Sequence, residues 1–129
     1  MPLTISRTYE ISGGRPSSGG WTVELVSAAD FRQKVLEANG PVAVEFMSFA
    51  CGNCRRANPM VHDVAQGLAG RVMVYQVNVP QEPSLSRDHR IATTPTFVMF
   101  LNGREVGRAN PEISAAGIRR AITAPFEGS

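Results

Sequence analysis

The chain has 129 residues, 43% of them hydrophobic and 19% charged, with a formal net charge of +2. That length suits one domain with a core of its own, and the weak, scattered basicity (Lys34 is the lone lysine among thirteen basic residues) argues against a nucleic-acid partner. No segment approaches the roughly 18 consecutive apolar residues of a spanning helix, so no membrane partner is expected; Thr4, Ser6, Arg7 and Glu10 interrupt any apolar stretch of a secretory signal, and the expected compartment is the cytoplasm.

Leu3 to Ile11 alternates and suits either an added edge strand or a disordered arm. Residues 13–20, Gly-Gly-Arg-Pro-Ser-Ser-Gly-Gly, read as a flexible linker, since Gly and Ser resist ordering. Residues 1–20 are therefore arm and linker, a domain is expected over 21–123 with Trp21 packed at its start, and 124–129 is a tail. Thr22 to Val26 suits a strand. Ser27, with Asp30 three residues on, predicts an acidic variant of the capping box opening a helix that Asn39-Gly40 ends. Pro41 to Met47 is an apolar run of strand length, expected at the sheet centre.

A second helix is predicted from about Cys51 to Leu68, interrupted by Pro59, and Arg71 to Val79 reads as another central strand. Pro83 to Arg90 is a short helix or irregular stretch, in which His89 reads as solvated. Thr96 to Leu101 and Arg104 to Gly107 straddle Asn102-Gly103, a strong hairpin signal, and a last helix is expected between Asn110-Pro111 and Ile122, with Ser114 as an alternative cap. The order β-α-β-α-β-α-β-β-α requires parallel crossovers plus one antiparallel edge, giving an α/β fold with a mixed sheet and helices on both faces.

The cysteines are Cys51 and Cys54, a spacing that cannot staple distant parts of the chain. They stand where an apolar strand gives way through a sharp turn to a helix. Free N–H groups and the helix dipole at such a start stabilise a thiolate on Cys51, and Cys54 lies one turn away, within bonding reach. Half a zinc site is the competing reading. Zinc wants four ligands, and His62 and His89 sit at no familiar ligand spacing, so no metal is expected. Glu45, six residues before Cys51 on the central strand, is costly to bury charged. Burial there should raise its proton affinity; a half-exposed strand glutamate with no role is the alternative.

In this order of motifs the chain resembles the thioredoxin family across about residues 21–123. Cys51-Gly52-Asn53-Cys54 matches its active-site motif, Pro59 the kink of its long helix, Thr94-Pro95-Thr96 its cis-proline loop, and Asn102-Gly103 its hairpin. Glu45 stands at the family's buried acid, in a Val-Glu-Phe context similar to protein disulfide isomerase domains. The resemblance implies a cis Thr94–Pro95 bond facing the thiols, with Thr94, Pro95 and Gly107 on the substrate-binding surface. Ala50 stands where the family usually has tryptophan before the first cysteine, and Asn53 replaces the proline of the common motif, which suggests a less reducing potential.

The function so implied is a thiol–disulfide oxidoreductase. Cys51 attacks the disulfide of a protein substrate, Cys54 resolves the mixed disulfide, Glu45 takes the proton, and a donor such as a thioredoxin reductase restores the dithiol with no cofactor on the chain itself. A disulfide isomerase or oxidant, or a thioredoxin-fold binding module with a redox-gated partner contact, are the alternatives.

Overall fold

In the computed structural model, which describes residues 23–127, a short strand β1 (Val23–Leu25) leads into a single α-turn, α1 (Ala28–Phe31), that widens into π-type turns over Arg32–Leu36. The widening is seen in the Glu37 N–H, which reaches back five residues to the Arg32 carbonyl at 2.8 Å. There follow β2 (Pro41–Met47), α2 (Gly52–Gly67), β3 (Met73–Asn78), a 3-10 turn at Val79–Gln81, and α3 (Pro83–Asp88). The hairpin β4 (Thr96–Leu101) and β5 (Arg104–Ala109), then α4 (Ala115–Thr123), complete the order expected from the sequence. The arm, the linker and Trp21 lie outside the described residues.

The sheet runs β1-β3-β2-β4-β5, with β1, β3 and β2 parallel and β4 and β5 antiparallel, an α/β mixed sheet as expected. Its central strand, β2, is buried along nearly its whole length. The strand pleat sends successive side chains to opposite faces. Val42, Val44 and Phe46 enter a core with Phe31 and Val35 of the first helical segment and Leu85 of α3. Ala43 faces a second core, with Ala57 and Val61 of α2, Leu68 just beyond it, and Ile118 and Ile122 of α4. Each such Val, Leu, Ile or Phe side chain withdrawn from water contributes about 1.5–3 kcal/mol.

At the hairpin, Asn102 and Gly103 both take positive φ, 53° and 83°, as a two-residue turn between right-twisted strands requires. A Cβ on Gly103 would also lie 2.1 Å from the Leu36 carbonyl oxygen, so only glycine fits there. Ser114 is the cap of α4, accepting from the Gly117 N–H at 2.9 Å.

Four local expectations are corrected. The Ser27 capping box does not form: its hydroxyl donates to the Asp30 carboxylate at 3.2 Å, while Glu82, from just before α3, accepts the Ala28 N–H at 2.9 Å. The Asp30 N–H that the Ser27 hydroxyl would have served bonds the Ser27 carbonyl instead, at 3.1 Å, and the tertiary partner Glu82 satisfies a neighbouring donor of the helix start. Helix α2 runs through Pro59 without interruption. The buried stripe on either side of the proline holds the two halves to one sheet face, against the cost of the hydrogen bond Pro59 cannot donate and of its ring crowding the preceding turn. The tail does not begin at 124, because Ala124–Phe126 forms a 3-10 turn whose Phe126 packs on the second core.

His89 is the fourth. It is half-buried, its ring 5.0, 5.7 and 5.9 Å from those of Phe31, Phe46 and Phe100. Burial lowers its proton affinity below the ordinary histidine value, against the opposing pull of Asp88 and Glu105. The unfolded chain then binds a proton on His89 near pH 6.5, while the fold waits for lower pH, so this contribution is whole above 6.5 and lost as pH falls. His89→Phe keeps the ring and removes the titration. Urea denaturation should find it gaining on the parent protein between pH 8 and pH 5, and a pH-independent difference would refute the assignment.

Candidate active site

The sharp turn between β2 and α2 is built by Ser48. Its carbonyl accepts the Cys51 N–H at 3.1 Å and its hydroxyl the Ala50 N–H at 3.2 Å, so three residues reverse the chain. Cys51 is the N-cap of α2, in extended conformation, and its sulfur accepts the Cys54 N–H at 3.3 Å. One donor that the helix start leaves unpaired is thereby aimed at a thiol. The turn is braced on its outer side by Arg55, whose guanidinium donates to the Phe49 carbonyl at 3.2 Å.

The two thiols are free and unlike. Cys51 is half-exposed, and hydrogen bonding from Cys54 and then Thr94, with the Cys54 and Asn53 N–H groups adding less, holds its proton affinity below that of an ordinary thiol. Cys54 is 1% exposed, and burial first, then its hydrogen bond to Cys51, pushes it up to about 11. The first thiol is therefore the one poised as thiolate.

Across from them the Thr94–Pro95 bond is cis, as the sequence led us to expect, and the Thr94 carbonyl accepts from the Cys51 thiol at a sulfur–oxygen distance of 3.6 Å. The loop is locked from within by Thr96, whose hydroxyl donates to the Thr93 carbonyl at 2.6 Å. It is locked from outside by Asn110, whose amide reaches Thr96 Oγ1 at 2.7 Å and, at 3.2 Å, both Thr93 Oγ1 and the Pro95 carbonyl. Asn110 escaped the sequence reading because an Asn before a Pro reads as a turn initiator, with nothing to show which loop it reaches.

Gly107 is not with this group. It pairs with Met99, four residues into the strand from Pro95 and hence about 13 Å along it. The space over its missing side chain is taken by Pro125, since a Cβ there would lie 2.8 Å from Pro125 Cγ. Its glycine serves the packing of the C-terminal turn, and the substrate-surface expectation for it is withdrawn.

Glu45 is fully buried. By the alternation of β2 it faces α2 and α4, opposite Gln76 of β3 and Phe97 of β4. Gln76 Nε2 donates to Glu45 Oε1 at 2.8 Å and also to Asn58 Oδ1 of α2 at 2.9 Å, while Glu45 Oε2 has no hydrogen-bond partner among the described residues. Burial pushes the carboxyl up to about 7, with the Gln76 hydrogen bond pulling the other way. Gln76 and Asn58 went unmarked in the sequence; for Gln76, a polar residue in the otherwise apolar Val72–Val77 run was the available signal. Among the described residues, no cluster of three or more His, Cys, Asp or Glu could hold a metal, and no helix is long and apolar enough to cross a membrane.

A dithiol at a helix start, facing a cis X–Pro loop over a five-stranded mixed sheet, defines a thioredoxin-like protein. The family model Thioredoxin matches residues 22–124, and the chain belongs to the thioredoxin family. It is 38% identical over 81 residues to Thioredoxin 1 of Synechococcus elongatus, covering 63% of this chain and 76% of that one. Thioredoxin 1 of Nostoc sp. is 35% identical with the same coverage, and a chloroplastic thioredoxin of Arabidopsis thaliana is 30% identical over 83 residues, 64% of this chain and 45% of the other. The protein is a thiol–disulfide oxidoreductase acting on disulfide-containing proteins.

The raised carboxyl has a stability consequence of known sign. A buried Glu45 binds its proton more tightly folded than unfolded, so its contribution is whole below about pH 4.5 and is lost as pH rises through about 7. The loss amounts to roughly 3 kcal/mol at most. Glu45→Gln should therefore gain on the parent protein in urea denaturation between pH 4.5 and 8, and a constant difference across that range would contradict it.

Proposed function

We propose that Cys51-Gly52-Asn53-Cys54 is the redox centre, with Cys51 as nucleophile, Cys54 as resolving thiol and Glu45 as proton acceptor. The unlikeness of the two thiols carries this reading: one half-exposed and favoured as thiolate, the other buried and pushed up to about 11. The Cys51 thiolate attacks one sulfur of a substrate disulfide, forming a mixed disulfide and expelling the other substrate sulfur as thiolate. Cys54 gives its proton to Glu45 and attacks Cys51 Sγ. The Cys51–Cys54 disulfide forms, and the second substrate sulfur departs.

Thr94 and Pro95 are the proposed substrate platform. Their loop lies against Cys51, and its backbone can pair with an extended peptide carrying the disulfide. The exposed Phe49 flanks the same turn and offers an aromatic surface where Ala50 supplies none. The dithiol must be re-formed after each turnover, and the reading includes a donor such as a thioredoxin reductase and a cytoplasmic setting.

Two experiments test the roles. Cys54→Ser should accumulate mixed disulfides with protein substrates through Cys51, seen as reducible adducts on non-reducing gels, and equal trapping by Cys51→Ser would reverse the assignment. In rapid-mixing kinetics with a model disulfide, Glu45→Gln should slow resolution at least tenfold and change initial attack much less, the scale of a lost general base. Unchanged resolution across neutral pH would make Glu45 structural.

A further inference from the structure

Gln76 stands at the junction of three elements. Its one amide nitrogen donates both to Glu45 Oε1 on β2 and to Asn58 Oδ1 on α2, at 2.8 and 2.9 Å. An amide nitrogen carries two hydrogens, so both are committed. Asn58 lies one turn beyond Cys54, and with Cys54, Met47, Ser48 and Arg55 it lines a cleft beside the redox motif. The buried acid is thus joined by a continuous polar chain to the wall of the cleft in which the resolving thiol stands.

We infer that Gln76 and Asn58 are positioning residues for the second chemical step: together they hold the Glu45 carboxyl by Oε1 and leave Oε2 as the oxygen that receives the Cys54 proton. The inference rests on Glu45 acting as the proton acceptor. It adds why this carboxyl works at neutral pH. A buried carboxylate needs hydrogen bonds or an opposite charge, and Gln76 gives it one neutral donor. From α2 the titratable side chain in the cleft is Cys54, with Arg55 at the exposed rim hydrogen-bonded to Phe49. β3 presents Gln76, β4 presents Phe97, and the α4 side chains in this core are Ile118 and Ile122. No cation is aimed at the carboxyl among them, so its proton affinity answers to the amide alone. If Asn58 is removed, Gln76 loses its second anchor and can swing away from Glu45.

The consequence is graded. Gln76→Leu deletes the donor, so the Glu45 titration midpoint, read from the carboxyl carbon by NMR in the reduced protein, should rise by about one pH unit. The pH profile of mixed-disulfide resolution should move up with it. Asn58→Leu keeps the donor and frees it, so both should move in the same direction by less than half as much. Gln76→Lys supplies a cation, and both should move down. The upward shifts read positioning directly, because a general loss of packing would admit water and lower the midpoint along with the melting temperature. An unmoved midpoint in Asn58→Leu and in either Gln76 variant overturns the inference. A midpoint that moves while the resolution profile stays still sinks the catalytic role of Glu45 instead. Should Gln76→Leu fail to fold, the Lys and Asn58 variants carry the same test.

Discussion

The 3.3 Å hydrogen bond from the Cys54 N–H to Cys51 Sγ is where the fold becomes chemistry. It exists because β2 ends at Met47 and α2 begins at Gly52, with Ser48 folding the intervening residues so tightly that a thiol falls at the N-cap. Helix starts leave backbone donors unpaired, and a sulfur at that place receives them. Moving the cysteine one residue either way would aim the donor at a different group. The remaining parts of the site serve to keep this geometry and to use the asymmetry it produces.

Keeping it falls to the two cores. α2 is held to the sheet by Ala57, Val61, Val64, Ala65 and Leu68, in contact with the same face that Ala43, Phe97 and Met99 present. The burial of that stripe outweighs the broken hydrogen bond at Pro59, so the helix carrying both thiols stays one rigid element. On the other face, the Phe31, Phe46 and Phe100 rings close around His89 and fix α3 beneath the start of the loop that reaches Thr94. Asn110 and Thr96 then hold that loop, so the Thr94 carbonyl meets Cys51 from a fixed direction.

Using the asymmetry falls to burial. The same desolvation that makes Cys54 a poor thiolate raises the proton affinity of Glu45, because both charged forms are disfavoured in an apolar interior. In the proposed mechanism, a proton passing from Cys54 to Glu45 would leave the net charge of the interior unchanged and so avoid the cost of creating a new buried charge. The polar chain through Gln76 and Asn58 extends this interior to the cleft wall.

The apolar strand run of Pro41–Met47, the hairpin at Asn102-Gly103, Ser114 as one of two candidate caps and the three-residue step from Cys51 to Cys54 are all carried by the sequence, since each follows from local patterning or turn chemistry within a few residues. So is the cis bond at Pro95, through the resemblance of its surroundings to a known loop. Tertiary structure alone decided that Gln76 meets Glu45 across 31 residues, that Glu82 caps a helix 54 residues before it, and that Asn110 locks the Thr94 loop. It also placed Gly107 under Pro125 and His89 among phenylalanines, against the sequence reading. The division has one physical cause. A pleat or a helical turn dictates which way a side chain points, and only the packing of distant elements dictates what it finds there.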